Sequence, residues 1–387
     1  MITKLYIIRH AEAEGNLYRR AQGQYDSLVT NLGLRQIRAL GERFSALPVD
    51  AVYSSDLVRA KTTAQAISLP RDLPITTTPK LREIGMGSWE DRTWASLGRD
   101  EPLQLRAFNQ DPMRWDIGDN ESHIALKRRM AEAIIEIAQN HPGQTVCIVS
   151  HGHAIRTLLA HIQDIPSERA SEVPHLDNTA VTLLEVQAEQ GIRIRWMNDA
   201  SHLSGGLSTL ARQNWWRNEN GTDTGNLDYL PLSLDEKTAR YLAYRQEAWG
   251  EIHGSLAGFT DEYLDQARAN VHQSPDTLVE AYLGTEPIGL LELDPEKGAQ
   301  DGAGHISFYY VTPDFRGRGL GVQFLGHAIS FYRARGRERL TLHVAETNKA
   351  AIRFYERFGF QKTGETDGVR APLWVMELPI KVQVREL

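Results

Sequence analysis

Three short apolar runs in the first half of the chain end in side chains capable of chemistry. Ile7-Ile8 leads into Arg9-His10, Val52-Tyr53 leads into Ser54-Ser55-Asp56 with Arg59 a turn later, and Ile148-Val149 leads into Ser150-His151-Gly152. Ligands of open α/β sheets collect at the carboxyl ends of strands. Two arginines and two histidines are therefore expected to converge on one rim. Arginine forks match phosphoryl oxygens in pairs, and a neutral imidazole nitrogen is a nucleophile at pH 7. Phosphoryl transfer asks mainly for positioning and for neutralisation of charge on the equatorial oxygens. Other chemistries fit less well. Ser150 has no nucleophile elbow around it, and the pair His151-x-His153 lacks a carboxylate placed as a third metal ligand, so no metal is expected.

A second set of residues lies far downstream, in Val311-Thr312-Pro313-Asp314-Phe315-Arg316-Gly317-Arg318-Gly319-Leu320-Gly321. An apolar strand leads into this turn and a helix from about Gly321 to Arg335 leads out. The glycines leave backbone N–H groups free to face an anion, the helix start adds its dipole, and Arg316 and Arg318 add charge. The turn reads as a pyrophosphate cradle. A dinucleotide fold would place it after the first strand of its domain, with an acidic residue about 20 positions on. Here it follows a strand deep in the second half.

The elements that must position these groups alternate between strand and helix over the first 200 residues. Leu5 to Ile8, Asp50 to Tyr53 and Thr145 to Ser150 read as buried strands. A helix with Thr30 as N-cap carries Ile37, Leu40, Phe44 and Leu47 on one face. Ser54 and Ser55 are placed to cap a helix carrying Leu57, Ala60, Ala64 and Ile67. A long helix runs from about Ser122 to Asn140, another covers Ala154 to Ile162, and Val181 to Val186 with Ile192 to Met197 forms a closing hairpin. The order indicates an α/β domain with a largely parallel sheet. Residues 204–226, with Ser204-Gly205-Gly206 and a polar run from Asn218 to Asn226, read as a linker, and the pair Trp215-Trp216 suggests that part of it packs on a domain. A second α/β pattern starts at Leu227 with two helices, Asp235 to Trp249 and Asp261 to His272, and a hairpin through Gly284 to Pro287. The net charge of −7 offers no general attraction to nucleic acid or anionic membranes. With one cysteine, Cys147, an intramolecular disulfide is impossible. No secretory signal or membrane-spanning run is visible, and a cytoplasmic protein is expected.

Residues 1–203 resemble the histidine phosphatase superfamily, which includes the cofactor-dependent phosphoglycerate mutases. The resemblance rests on Arg9-His10-Ala11-Glu12 with Asn16, Gln22-Gly23, Ser55-Asp56-Leu57-Val58-Arg59-Ala60, Leu81-Arg82-Glu83-Ile84 with Trp89-Glu90, Ser150-His151-Gly152, and Asn198-Asp199 with His202-Leu203. It implies a three-layer α/β/α domain in which His10 becomes a phosphohistidine. Arg9, Arg59 and His151 would hold the phosphoryl group, Asn16 would assist, and Gln22 and Gly23 complete the binding set. Glu83 would give a proton to the leaving oxygen and later take one from water. Two departures stand out: Ala11 replaces the usual glycine, adding a methyl expected beside the pocket, and Asp119-Asn120-Glu121-Ser122 replaces Gly-Gly-Glu-Ser. The short segment between Glu83 and His151 favours a phosphatase over a phosphomutase.

Residues 227–387 resemble the GNAT N-acetyltransferases. Arg316-x-x-Gly319-x-Gly321 matches their acetyl-CoA turn, and the run from Asn348 to Phe360, with Phe354-Tyr355 and Phe358-Gly359-Phe360, matches their closing motif. The resemblance implies that residues 316–321 bind the pyrophosphate of acetyl-CoA, that the Val311 backbone meets the thioester, that Asn348 contacts the cofactor, and that Tyr355 protonates the departing thiolate. For the base, Glu292, His305 and a water chain are candidates. The expected whole is a fusion of a phosphatase for a small phosphorylated metabolite with an acetyltransferase for a small amine. The alternative is a phosphomutase joined to an acyl-CoA sensor. Specificity is expected in residues 85–121 and in the two early helices of the second domain.

Overall fold

The structure, a computed structural model, describes residues 1–187, 189–213, 225–369 and 371–384. The chain divides into two units, one built on residues 1–224 and one on residues 225–381. Trp215 and Trp216 lie outside the described residues.

In the first unit β1 (Thr3–Arg9), β2 (Ala51–Ser54), β3 (Ile75–Thr77), β4 (Thr145–Ser150), β5 (Val181–Gln187) and β6 (Gly191–Asp199) form a sheet of order β3-β2-β4-β1-β5-β6. The first four strands of that order are parallel, and β5 and β6 run antiparallel as the expected hairpin. Alternation sends side chains to opposite faces. Ile7 and Ile148 join a core with Trp89, Leu126, Ile134 and Leu158, while Ile8, Cys147 and Val149 join one with Phe44, Val52 and Ile67. Both faces are thus covered by helices, which is why these strands are continuously apolar.

Register sets the rim. Arg9 pairs with Ser150, and Ser54 with Val149, so the three strands end level with one another. Helices leave from the same side. Asn31–Phe44 starts at Thr30, whose hydroxyl accepts the Gly33 N–H at 3.0 Å, and His123–Asn140 starts at Ser122, which accepts from Ala125 at 3.2 Å. The helix Val58–Ser68 is capped otherwise than expected. Its N-cap is Leu57, and its Val58 N–H is taken by Asp26 from another loop at 2.8 Å, while Ser55 Oγ accepts the Leu57 N–H at 3.3 Å.

The second unit holds β7 (Leu227–Pro231), β8 (Leu278–Leu283), β9 (Glu286–Asp294), β10 (Ala303–Val311), β11 (Arg339–Ala345), β12 (Gln361–Thr366) and β13 (Leu373–Pro379), in the order β12-β13-β11-β10-β9-β8-β7. Its one parallel pair, β10 with β11, is joined only from Ala303–Ile306 to Arg339–Leu342. Beyond Ile306 the two strands are no longer hydrogen-bonded to each other, and β10 shifts register against β9 between Ile306 and Phe308. The glycine-rich turn follows the far end of β10, and Asn348 follows β11.

Candidate active sites

His10 sits just past β1, 4 % exposed, with its backbone N–H donated to Ser150 O at 2.9 Å. Its Nδ1 lies 2.7 Å from Ala11 O. Only a protonated Nδ1 can donate to a carbonyl, so Nε2 keeps its lone pair. His151 is fully buried, its ring centroid 5.1 Å from that of His10, and among the described residues neither of its ring nitrogens has a hydrogen-bond partner. Burial holds both imidazoles well below the ordinary histidine range, with the Arg59 guanidinium the next cause. Ala11 does not face the pocket as expected. Its N–H donates to Thr63 Oγ1 at 2.9 Å and its methyl packs in the core with Ile8 and Val29.

The two arginines are aimed by backbone carbonyls. Arg59, fully buried on the helix Val58–Ser68, donates Nη1 to Tyr25 O at 3.0 Å and Nη2 to Gly23 O at 2.6 Å; burial pulls its guanidinium down to about 10. Arg9 donates Nη1 to Leu176 O, and its guanidinium lies against Gly152, where a Cβ would come within 3.2 Å of Arg9 Nε. The Nε of both arginines is buried and unpartnered among the described residues. Glu83 completes the group. Its carboxylate accepts the N–H of Ile84 (3.0 Å), His153 (2.9 Å) and Ala154 (2.8 Å), and so caps the helix Gly152–Ile162 that follows His151.

The remaining expected residues shape the loops. Asn16 Oδ1 accepts from Ala13 N at 3.1 Å and from Asn178 Nδ2 at 3.4 Å, and the same Asn178 amide donates to His10 O at 2.9 Å. Gln22 Nε2 donates to Ser27 Oγ. Gly23 is held so close that a Cβ would lie 2.3 Å from Ile84 O. Glu90, carried by the same motif as Glu83, is consumed in structure. It accepts the N–H groups of Gly23, Gln24, Tyr25 and Met86 at 2.6–3.1 Å, which fixes the carbonyls that aim Arg59. Three supports escaped the reading of the sequence: Asn178, Arg129, which donates to the backbone carbonyls of Lys80, Arg82 and Glu83, and Thr63. Asn178 stands in the polar triplet Asp177-Asn178-Thr179 just before β5, an antiparallel strand whose start, not its end, lies at the rim, so the pattern of the other strand ends is reversed there.

Residues 207–213, inside the expected linker, fold onto this unit. Ser208 Oγ and the N–H groups of Thr209 and Leu210 donate to the Asp177 carboxylate. Gln36 donates to Leu207 O at 2.8 Å while accepting the Glu12 N–H, and Gln213 donates to Asn16 O at 3.2 Å.

In the second unit Gly317 and Gly319 take φ of +73° and +76°, with open space where a Cβ would stand. Side chains rarely adopt that conformation, and its use here leaves backbone N–H groups facing outward. Leu320 is buried and Gly321 starts the helix Val322–Arg333. Arg316 donates Nε to Val311 O at 2.6 Å and pairs with Glu251 at 2.9 Å; the Arg318 guanidinium lies 4.9 Å over Phe315. Asn348 Oδ1 caps the helix Lys349–Arg357 through Ala351 N at 3.1 Å. Tyr355 is 7 % exposed among Tyr309, Phe354 and Phe360, and burial pushes its phenol up. A cradle that a Cβ would fill, at the mouth of two parting parallel strands, fits the pyrophosphate of a bound acyl-CoA.

Two expected bases are engaged elsewhere. Glu292, 1 % exposed, pairs with Arg245 at 2.6 Å and accepts from Tyr241 at 2.9 Å. His305 lies 3.1 Å from Lys297 Nζ and 3.0 Å from Thr341 Oγ1, and burial with Lys297 pulls it down to about 3. It also sits on the joined end of β10, six residues before Val311, roughly 20 Å along the strand.

Paired buried histidines and arginines thus share one sheet rim in the first unit, and a glycine turn follows the parted strands in the second. Residues 5–200 match the family model of the histidine phosphatase superfamily (branch 1), and residues 238–360 match that of the acetyltransferase (GNAT) family. The chain belongs to the histidine phosphatase superfamily and carries a GNAT domain as well. A metal-independent phosphoserine phosphatase of Arabidopsis thaliana is 34% identical over 207 residues, covering 52% of this chain and 84% of that protein. A probable phosphoglycerate mutase GpmB of Salmonella arizonae is 32% identical over 204 residues, covering 52% and 94%. Among solved structures, Bacillus stearothermophilus YhfR aligns with a TM-score of 0.51 at 34% identity, over 52% of this chain and 99% of that one. Among the described residues no helix is long and apolar enough to cross a membrane, and no three His, Cys, Asp or Glu side chains are grouped to hold a metal ion.

Proposed function

We propose that the first unit hydrolyses small phosphomonoesters through a phosphohistidine at His10, and that the second transfers acetyl from acetyl-CoA to the amine of a small metabolite. The observation that carries the first half is the His10 Nδ1 bond to Ala11 O beside the unpartnered nitrogens of His151, Arg9 and Arg59. A neutral imidazole with a free Nε2 is the nucleophile; the buried donors are the cradle for the phosphoryl oxygens.

In the first step Nε2 of His10 forms the N–P bond as the P–O bond to the alcohol breaks, and Glu83 gives the alkoxide its proton. Water then attacks phosphorus, the N–P bond breaks, and Glu83 takes the water proton as phosphate leaves. Arg9, Arg59 and His151 hold the oxygens throughout. Asn16, Gln22 and Gly23 act one step back, by fixing the loops. A mutase would return the phosphoryl group to another hydroxyl; the likeness to a probable phosphoglycerate mutase is the observation on that side. Isomer in place of inorganic phosphate is its signature.

When bound, acetyl-CoA supplies the acetyl group as an activated thioester. The backbone of residues 316–321 and Asn348 would hold it. As the amine takes the acetyl group and CoA thiolate leaves, Tyr355 would protonate that thiolate, and the amine proton would return through water to the Tyr355 oxygen, since Glu292 and His305 are both engaged. If the domain is instead a sensor, acetyl-CoA binds and no amine is acetylated.

His10→Ala should abolish phosphatase turnover and spare acetyl transfer. Acid-labile phosphate should be trapped on the wild-type chain and not on the variant. Full turnover by the variant would overturn the phosphohistidine.

A further inference from the structure

The segment between Glu83 and the helix His123–Asn140 carries Trp89, Trp94, Phe108 and Trp115. Their rings form one cluster. Phe108 stacks on Trp94 at 5.9 Å and meets Trp115 edge-on at 4.9 Å, and Trp115 lies 5.5 Å from Trp89. The cluster reaches the phosphoryl site through His153. The backbone N–H of His153 donates to Glu83 Oε2, and its ring stacks on Phe108 at 5.1 Å with 18° between the planes. His123 meets the His153 ring edge-on at 6.0 Å.

An aromatic core needs no polar atoms, yet this one buries three. His123 Nδ1, His153 Nε2 and Trp115 Nε1 have no hydrogen-bond partner among the described residues, and His123 and Trp115 are each 3 % exposed. A buried polar group left unmatched costs about 1–3 kcal/mol, so packing alone gives no reason for the trio. Burial holds His153 well below the ordinary histidine range and His123 at about 4, so both rings are neutral near pH 7. Nearby cations are engaged: Arg156 donates to Val173 O and Ser171 O, and Lys127 to Ser167 Oγ. An ionised amino-acid or glycerate leaving group would have to draw one of these cations off its present acceptors. A flat neutral ring bearing donors and acceptors would match aromatic rings at the half-buried Trp94 and His153 and three unmatched polar atoms beside them. Phe108, Trp94 and His153 are only half-buried, which leaves the cluster open to such a ring.

We infer that this cluster is the leaving-group pocket, and that it selects phosphomonoesters whose alcohol carries a heteroaromatic ring; the inference rests on the phosphatase reading above.

The test uses the full chain and four alkyl phosphates: uridine 5′-monophosphate, benzyl phosphate, O-phosphoserine and 3-phosphoglycerate. The expected order of kcat/KM is nucleotide, then benzyl, then the two carboxylates. Stacking on one aromatic side chain supports about a tenfold effect. Trp94→Ala should therefore lower the nucleotide-to-phosphoserine ratio of kcat/KM about tenfold, with Trp94→Leu as a version that keeps more of the cluster filled. His123→Leu or His153→Leu should remove the preference for nucleotide over benzyl phosphate. Equal or better turnover of phosphoserine or 3-phosphoglycerate by the wild type overturns the pocket, as do variants that slow all four alike. Acid-labile phosphoenzyme formed without ring preference sinks the pocket alone. No phosphoenzyme or turnover with any of the four sinks both the pocket and the phosphohistidine.

Discussion

Moving from pH 7.5 to pH 5.0 should remove a large part of the first unit's stability. Its active site buries His10, His151 and His123 at 4 %, 0 % and 3 % exposure, and burial keeps all three below the ordinary value, about 6.5. Their folded values lie below their unfolded ones. The stability they contribute is therefore present above about pH 6.5 and is lost as pH falls, because the unfolded chain binds protons that the folded one refuses. With His123 at about 4, the drop to pH 5.0 removes about 2 kcal/mol through that ring alone. Burial shifts His10 and His151 the same way, so both add to the loss. Native domains hold only about 5–15 kcal/mol. Glu12 pulls the other way: burial raises its carboxyl, so it steadies the fold as pH falls. Urea unfolding followed by tryptophan fluorescence reads the loss, with Trp89, Trp94, Trp115 and Trp196 in this unit. At about 2–3 kcal/mol per molar urea, the midpoint should fall by at least about 0.7 M. His123→Gln should recover about 2 kcal/mol of the difference between the two pH values. A wild-type midpoint that moves by less than about 0.5 M would refute the claim that these imidazoles are buried neutral.

Glu83→Gln should form phosphoenzyme readily from 4-nitrophenyl phosphate, whose leaving group needs no acid, yet hydrolyse it slowly; rapid-quench trapping should find acid-labile phosphate accumulating, and no accumulation argues against Glu83 as the base. Gly319→Ala puts a side chain at φ +76°, which costs about 1–2 kcal/mol, so the KM for acetyl-CoA should rise about tenfold while phosphatase turnover stays unchanged. Tyr355→Phe should cut acetyl transfer about 100-fold with acetyl-CoA affinity held within about twofold by calorimetry; unchanged transfer removes Tyr355 as the acid.

The parts of this protein legible in its sequence are those where one residue announces itself. Strands buried on both faces give short apolar runs, and a polar residue ending such a run stands on the rim, so Arg9, His10, Arg59 and His151 were readable before any fold was known. The glycine turn was readable because positive φ leaves few alternatives to glycine at Gly317 and Gly319. What stayed hidden acts through the backbone. Glu90 and Arg129 bind main-chain N–H and carbonyl groups, and any residue can supply those, so no partner identity marks them in the sequence. Ala11 misled for a related reason: sequence position put its methyl beside His10, and chain direction turned it into the core. Glu292 and His305 are titratable residues in strands, and only their neighbours Arg245 and Lys297 show that they are committed.

The hold of residues 207–213 on the nucleophile loop bears on how the two activities can be separated. A fragment ending at Leu203 would strip Asp177 of three donors and Gln36 of its acceptors, while Asn16 O would lose Gln213. At about 1–3 kcal/mol for each buried group left unmatched, that is a heavy fraction of a domain's stability. The first unit thus owns residues 207–213 of the connecting chain. A fragment that keeps the nucleophile loop braced should therefore end after Gln213, within the stretch that composition marks as a linker.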